Sequence, residues 1–332
     1  EDGDEEEGEQ GQRDFDARFE RTHCLKGHGD NVAYVAFSSD GLRLASCSAD
    51  ETIVVWDPAE GKIIKRLDKE SAGELGAHDK GISCVAWSPD SETLCSASDD
   101  RTLRFWRAET GECIRVLTGH THMVMCCDFS RKGNMLVSGS YDETVRVWEV
   151  KSGLCLKEIP AHSDPVTSVR FSRDASMFVS SSWDGLCRVW DTETGKCLQT
   201  VYIGSNAPVS AAMFTPNCHF LLANHLGGSA RLWDLKQAKW VKEFQGKNEK
   251  HCITPCIWTH QVGAIKDPLV ICGSDDGAVF CWDISSQKCI AKMHRKSESG
   301  AHPVLTTCCN PRTAMFATAA DKEICVFVAK QS

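Results

Sequence analysis

Short runs rich in apolar and β-branched residues recur along this chain, each stopped by small polar residues. The first four are Val32–Phe37, Leu42–Cys47, Thr52–Trp56 and a shorter one at Lys62–Lys65. Serines, aspartates and a glycine separate the first three, so they predict short strands joined by tight turns. The same order returns downstream, and no long stretch carries the helical period. The residues around Phe19–Leu25 also read as a strand.

The third run of each group ends on an aromatic ring. The phrases end at Trp56, Trp106, Trp148, Trp190, Trp233 and Trp282, and a seventh ends at Phe327. Consecutive spacings are 50, 42, 42, 43, 49 and 45 residues. Asp57, Asp191, Asp234 and Asp283 follow four of the tryptophans. A period of roughly 40–45 residues ending on Trp-Asp is the WD40 signature, with four strands per blade. The expected fold is all-β, a seven-bladed WD40 β-propeller over residues 19–330. The longer spacings place insertions around Asp68–Gly76 and Gln261–Pro268. The last repeat lacks its own fourth strand. Raw strand edges invite aggregation, so the N-terminal strand is expected to close the last blade.

Three polar residues keep register with the rings. Six positions before the aromatic stand Asp50, Asp100, Asp142, Asp184, Asp276 and Asp321, whereas the fifth repeat has Gly227. Twenty-eight positions before it stand His28, His78, His120 and His162. Ser46, Ser96, Ser138 and Ser180 complete the first four sets; Ala223, Cys272 and Ala317 replace them later. One Ser-His-Asp set would suggest a hydrolase, but four at identical spacing are architecture. In each, Asp is expected to bind His, His to bind Ser, and Ser to receive the indole N–H of Trp56, Trp106, Trp148 or Trp190. Blades five to seven lack these links and are expected to be less rigid.

Charge alters the picture at one end. The net charge is −9, and Glu1, Asp2, Asp4, Glu5, Glu6, Glu7 and Glu9 supply seven of the negative charges. Residues 1–18 therefore read as an acidic disordered tail. The remainder is near neutral, which argues against direct nucleic-acid binding. No apolar run is long enough for a membrane helix, and no secretory signal pattern opens the chain. The 19 cysteines include no C-x-x-C pair, and many lie inside strand-like runs. They are expected to be reduced, packed thiols of a cytosolic or nuclear protein, with no metal and no cofactor. No nucleophile–base pair or phosphate loop stands outside the repeated sets, so the expected role is binding, not catalysis.

Position in the repeat predicts the binding mouth. The residue before each turn aspartate should ring the central channel: Ala49, Asp99, Tyr141, Trp183, Leu226, Asp275 and Ala320. The residue that opens each innermost strand should stand beside it: Ala33, Ser83, Met125, Thr167, Ser210, Thr254 and Leu305. Met125, Tyr141 and Trp183 make an apolar arc flanked by the carboxylates of Asp99 and Asp275, which suits a guanidinium or ammonium group.

Several stretches carry a more specific likeness. They are His78-Asp-Lys-Gly-Ile-Ser, Ser96-Ala-Ser-Asp-Asp-Arg-Thr-Leu, Ala161-His-Ser-Asp-Pro-Val, the segment Ser180–Trp190 and Asn248-Glu-Lys-His-Cys-Ile253. Across residues 20–328 the chain resembles the WD-repeat core subunit of MLL/SET-type (COMPASS) histone H3 lysine methyltransferase complexes. That resemblance implies a nuclear scaffold, present also in the cytoplasm, that is monomeric within a larger complex. It implies that an arginine of a SET-domain methyltransferase peptide or of the histone H3 tail enters the channel. Asp99 then corresponds to the aspartate that holds the peptide backbone. Ala49, Ser83, Thr167, Ser210 and Cys252 correspond to small supporting residues, and Trp183 and His251 to flanking tyrosines. The two rings that sandwich the arginine fall on Met125 and Thr254, neither of them aromatic. Asn217, Phe220, Leu232 and Ile257 correspond to a face for a second complex subunit, although Leu232 and Ile257 also fit a strand core.

Other readings stay open. A cullin-ligase substrate receptor would carry Arg two places after each Trp-Asp pair, where this chain has Ala59, Glu109, Lys151, Glu193, Lys236 and Ser285. A signalling β-subunit would need an N-terminal coiled coil, and the acidic segment shows no heptads.

Overall fold

The computed structural model describes residues 18–204, 207–246, 249–261, 268–294 and 302–330. All of the expected acidic tail except Arg18 lies outside the described residues, as does the interior of the 261–268 insertion. The other insertion holds a 3-10 turn at Gly73–Leu75.

Among the described residues, 28 strands, numbered β1 to β28 along the chain, form seven four-stranded antiparallel sheets. The first is β2 (Val32–Phe37), β3 (Leu44–Ser48), β4 (Ile53–Asp57) and β5 (Lys62–Leu67). The following blades repeat this order from innermost to outermost strand. Their innermost strands are β6 (Ile82–Trp87), β10 (Val124–Phe129), β14 (Val166–Phe171), β18 (Val209–Phe214) and β22 (Cys256–Trp258). The seventh blade is β26 (Thr306–Cys309), β27 (Met315–Ala320), β28 (Glu323–Ala329) and, outermost, β1 (Phe19–Lys26). β1 pairs with β28 from Phe19↔Ala329 to Lys26↔Glu323. The N-terminal strand thus completes the last blade, and β2 packs beside β26 to close the ring.

The core lies between blades rather than within them. Ile53 and Leu67 of the first blade share a buried cluster with Ile82, Leu94 and Trp106 of the second. Across the closure, Leu25 and Ile324 pack with Val35 and Trp56. Each such side chain contributes about 1.5–3 kcal/mol when removed from water. One blade alone would expose half of these surfaces, so the ring stabilises its parts collectively. All 19 cysteines are free thiols, and Cys47, Cys95, Cys187 and Cys272 are buried as small apolar groups. Burial pushes the Cys187 thiol well above its ordinary value.

One irregularity recurs where it positions the mouth. Pairing of the first two strands slips between Val32 and Tyr34, Ile82 and Cys84, Val124 and Cys126, Val166 and Ser168, and Val209 and Ala211. The residue left over is Ala33, Ser83, Met125, Thr167 or Ser210. A bulge releases one residue from the ladder and re-aims its side chain. The five bulge residues are the first five of the predicted inner ring. In the sixth and seventh blades a bridge between Thr254 and Thr306 takes the place of the bulge.

Candidate peptide site at the channel mouth

The turns around the mouth are fixed by the repeated polar chains. In the second blade His78 Nδ1 lies 2.6 Å from Asp100 Oδ2, and His78 Nε2 lies 2.7 Å from Ser96 Oγ. Trp106 Nε1 donates to the same Ser96 Oγ at 2.7 Å. The matching contacts of the first blade are His28–Asp50 at 3.1 Å, His28–Ser46 at 2.7 Å and Trp56→Ser46 at 2.8 Å. The third has His120–Asp142 at 2.9 Å, His120–Ser138 at 2.8 Å and Trp148→Ser138 at 2.8 Å. The fourth has His162–Asp184 at 2.9 Å, His162–Ser180 at 2.7 Å and Trp190→Ser180 at 2.8 Å. Indole donates to hydroxyl, hydroxyl to imidazole and imidazole to carboxylate, so each buried polar side-chain group of these four sets has a partner.

This arrangement sets the ionisation of its members. Burial alone would raise the Asp100 carboxyl, but hydrogen bonds and charge from His78, with a bond from Thr102, hold it at about 2. Burial is likewise outweighed at Asp50 by His28 and Thr52, and at Asp142 by His120 and Thr144; both lie well below the usual carboxylate range. Burial lowers His78 despite the opposing pull of Asp100. The fifth blade shows what is lost without the set. Trp233 Nε1 is buried with no hydrogen-bond partner among the described residues, and Ala223 and Gly227 stand in the repeat positions of Ser and Asp.

Where the innermost strands begin, the channel opens into a cavity of about 240 Å³. Its wall takes one predicted residue from every blade: Ala33, Ser83, Met125, Thr167, Ser210, Thr254 and Leu305. Trp183 and Cys252 also line it. Ser210 Oγ is buried there with no partner among the described residues. Trp183 is 38% exposed, so its ring is open to a ligand. It meets Tyr141 edge-on at 5.8 Å, and Tyr141 stacks on His122 at 4.6 Å. His122 is a member of the arc that the repeat spacing did not mark.

Seven of the predicted mouth residues do not line this cavity: Ala49, Asp99, Tyr141, Leu226, His251, Asp275 and Ala320. Ala49, Asp99 and Tyr141 lie in the turns after the second strands, each donating its backbone N–H to the loop that leads into the innermost strand, at Asn31 O, Gly81 O and Met123 O. Asp99 Oδ1 accepts from Ser83 Oγ at 3.1 Å, which ties the rim to the wall. The two expected flanking carboxylates differ. Asp275 accepts from the backbone N–H groups of Glu249 and Lys250 and from His251 Nδ1, at 2.7, 2.8 and 2.8 Å. It holds the 249–251 loop that leads into the sixth blade, which corrects its expected place beside a ligand.

The floor of the cavity corrects the picture further. Tyr34 and Arg170 line it from below, and both also line the next cavity down the channel. Arg170 Nη2 donates to Tyr34 Oη, and its guanidinium lies 5.5 Å from the Tyr34 ring centroid. Arg170 Nη1 donates to Val169 O at 2.9 Å. Burial opposes the charge of Arg170, but Tyr34 and Asp128 outweigh it and raise its pKa. Burial also raises Tyr34 and Asp128, with Arg170 pulling both down. The sequence did hold a signal. Ala36, Ala86, Asp128, Arg170 and Met213 share one position of the innermost strand, and two of them are charged.

On the opposite face, Phe220, Leu232 and Ile257 meet in one cluster at the junction of the fifth and sixth blades. Leu232 is only 2% exposed and belongs to the core of that cluster, whereas Phe220 and Ile257 are half-buried around it. Asn217 Oδ1 accepts from Thr215 Oγ1 and His219 N, capping its own turn. Phe220 and Ile257 are therefore the partly exposed apolar members of that group.

Comparison with known proteins gives the same fold and names the family. The WDR5 beta-propeller domain family matches residues 24–328. Striatin-4 of Homo sapiens is 58% identical over 38 residues, 11% of this chain and 5% of that protein. The vegetative incompatibility protein HET-E-1 of Podospora anserina is 58% identical over 40 residues, 12% of this chain and 3% of its own. A WD repeat-containing protein of Dictyostelium discoideum is 26% identical over 104 residues, 31% of this chain and 17% of its own. The chain thus spans less than a fifth of each of these relatives. The repeat, the closed seven-bladed ring and the family match over residues 24–328 lead to one assignment: the chain belongs to the WDR5 β-propeller family of WD-repeat proteins.

Proposed function

We propose that this propeller is a non-catalytic scaffold that takes an arginine-bearing peptide at its upper mouth, the end where the innermost strands begin. The observation that carries this reading is the cavity lined by one residue from each blade, with Trp183 open on its wall and Asp99 on its rim. Arg170 bars a second guanidinium from the floor, because like charges repel strongly in a half-buried site. The arginine therefore lies high, across Trp183 and Tyr141, with Asp99 Oδ2 as its anion. A cation over such rings contributes about 0.5–2 kcal/mol. Ser210 Oγ, unpartnered in the wall, accepts or donates one further bond to the peptide.

Membership of the WDR5 β-propeller family supports a reading of the partners as well. The peptide is that of a SET-domain methyltransferase or of the histone H3 tail, and Phe220 and Ile257 hold a second subunit. The chain thereby assembles a histone H3 lysine methyltransferase complex in the nucleus. Titration calorimetry with an arginine-centred peptide tests the site. The unaltered chain gives heat, and Asp99→Ala and Trp183→Ala each weaken it. No heat from the unaltered chain removes the proposal. A purified SET-domain methyltransferase that fails to co-elute with the chain removes the assembly role.

A further inference from the structure

The other end of the channel carries a second, differently charged mouth. Where the innermost strands end, a cavity of about 920 Å³ is lined by residues of all seven blades. Five of them are aromatic: Phe37, Trp87, Phe129, Phe171 and Phe214. Arg131, Arg173 and Arg312 stand on its wall, all three exposed. Arg312 Nε donates to Ser39 O at 3.2 Å, and none of the three pairs with a carboxylate among the described residues. The acids nearby are engaged. Asp40 and Asp174 each accept from a serine hydroxyl and a backbone N–H of their own turns, which outweighs burial and keeps both carboxylates charged, and Asp90 accepts from Ser88 and from Glu92 N; none of the three lines this cavity. Asp128 is the one acid on the wall, and burial raises its carboxyl toward the neutral form. The lining of the mouth is therefore apolar in its depth and carries three arginines against a single carboxyl.

The start of the chain supplies the matching charge. Seven of its first ten residues are Asp or Glu. β1 begins at Phe19, paired with Ala329, and Ala329 N donates to Ala314 O. That end of the seventh blade also carries the 310–314 turn with Arg312, so the chain leaves β1 on the face of this lower mouth. From the outermost to the innermost strand of a blade is about 14 Å. An extended chain covers about 30 Å between Phe19 and Gln10. The acidic residues have more than the needed reach.

We propose that the acidic N-terminal segment, residues 1–10, docks in cis against Arg131, Arg173 and Arg312 and occupies the lower mouth. It then competes with any acidic peptide offered from another chain. This site is separate from the upper mouth and does not depend on the arginine-peptide reading.

The test uses the whole chain and a labelled peptide of residues 1–17, followed by fluorescence anisotropy. In one variant the seven acids Glu1, Asp2, Asp4, Glu5, Glu6, Glu7 and Glu9 become Gln or Asn. That variant should bind the peptide at least about tenfold more tightly than the unaltered chain, and salt should weaken the binding. Adding Arg131→Glu, Arg173→Glu and Arg312→Glu should abolish it, with an unchanged melting temperature because the three side chains are exposed. Equal affinity for the unaltered and neutralised chains overturns docking in cis. No binding to the neutralised chain, or binding that survives the three arginine changes, overturns the site. The arginine-centred peptide should still bind the triple-arginine variant, which separates failure here from failure at the upper mouth.

Discussion

Arg170 of the fourth blade donates to the hydroxyl of Tyr34 in the first, across the centre of the channel. The pair divides the channel into an upper cavity walled by bulge residues and a lower one that is apolar and basic. A positive charge on the floor also decides how deep a cationic ligand can go. Replacing Arg170 with Met removes that charge. Binding of an arginine-centred peptide should then tighten, because contact repulsion between like charges amounts to as much as about 4 kcal/mol near a protein surface. Calorimetry of the Arg170→Met chain beside the unaltered one measures this, and weaker binding would count against a cationic floor that excludes the ligand.

Ser96 joins two buried groups of the second blade. Ser96→Ala leaves Trp106 Nε1 and His78 Nε2 without partners. Each unsatisfied group costs about 1–3 kcal/mol. The urea midpoint should fall accordingly, with the slope of the transition unchanged. A loss no larger than that of an exposed Ser→Ala change would show that the chain of bonds contributes little.

The fifth blade offers the converse experiment. Ala223→Ser places an acceptor where Trp233 Nε1 has none among the described residues. In the first blade the equivalent Ser46 Oγ also reaches Val54 O at 3.4 Å, so the new hydroxyl proton has a backbone acceptor at hand. Stability should rise by about 0.5–1.5 kcal/mol. A fall in the thermal midpoint would mean that the added oxygen does not fit.

Acid should unfold the ring in two windows. Burial lowers His78, so its contribution is complete above the unfolded value of about 6.5 and declines as pH drops below it. Asp100 is held at about 2 in the fold, below the unfolded value of about 3.9. Its stabilisation is present above pH 3.9 or so and is lost as pH falls through about 2. Asp50, Asp142 and Asp184 shift in the same direction. The urea midpoint should be level from neutral to mildly alkaline pH, sag below about 6.5 and drop steeply below about 4. Asp100→Asn should flatten the steep part, and an unaltered profile would contradict this.

Arg101 holds a left-handed backbone, with φ of 71°, in the turn after Asp100, where the fourth blade has Gly185 at 79°. A non-glycine residue in that region costs roughly 1 kcal/mol. Arg101→Gly should therefore raise the thermal midpoint, and differential scanning calorimetry would register the change.

Local spacing along the chain determined the repeat, the seven blades, the closing strand and the four polar chains. Each rests on residues that keep one period, and a period is readable in one dimension. It also placed Ala33, Ser83, Met125, Thr167 and Ser210 at the mouth, because the same bulge recurs in the first five blades. Tertiary structure decided the rest. Tyr34 and Arg170 are 136 positions apart, on innermost strands of blades that are not neighbours, and they meet only because the ring closes. Asp275 looked available until the 249–251 loop packed onto it, and Leu232 fitted a contact residue or a strand core until its blade packed against the next. No local rule reaches across a channel or between adjacent blades, so the floor, the engagement of Asp275 and the lining of the lower mouth belong to the closed ring alone.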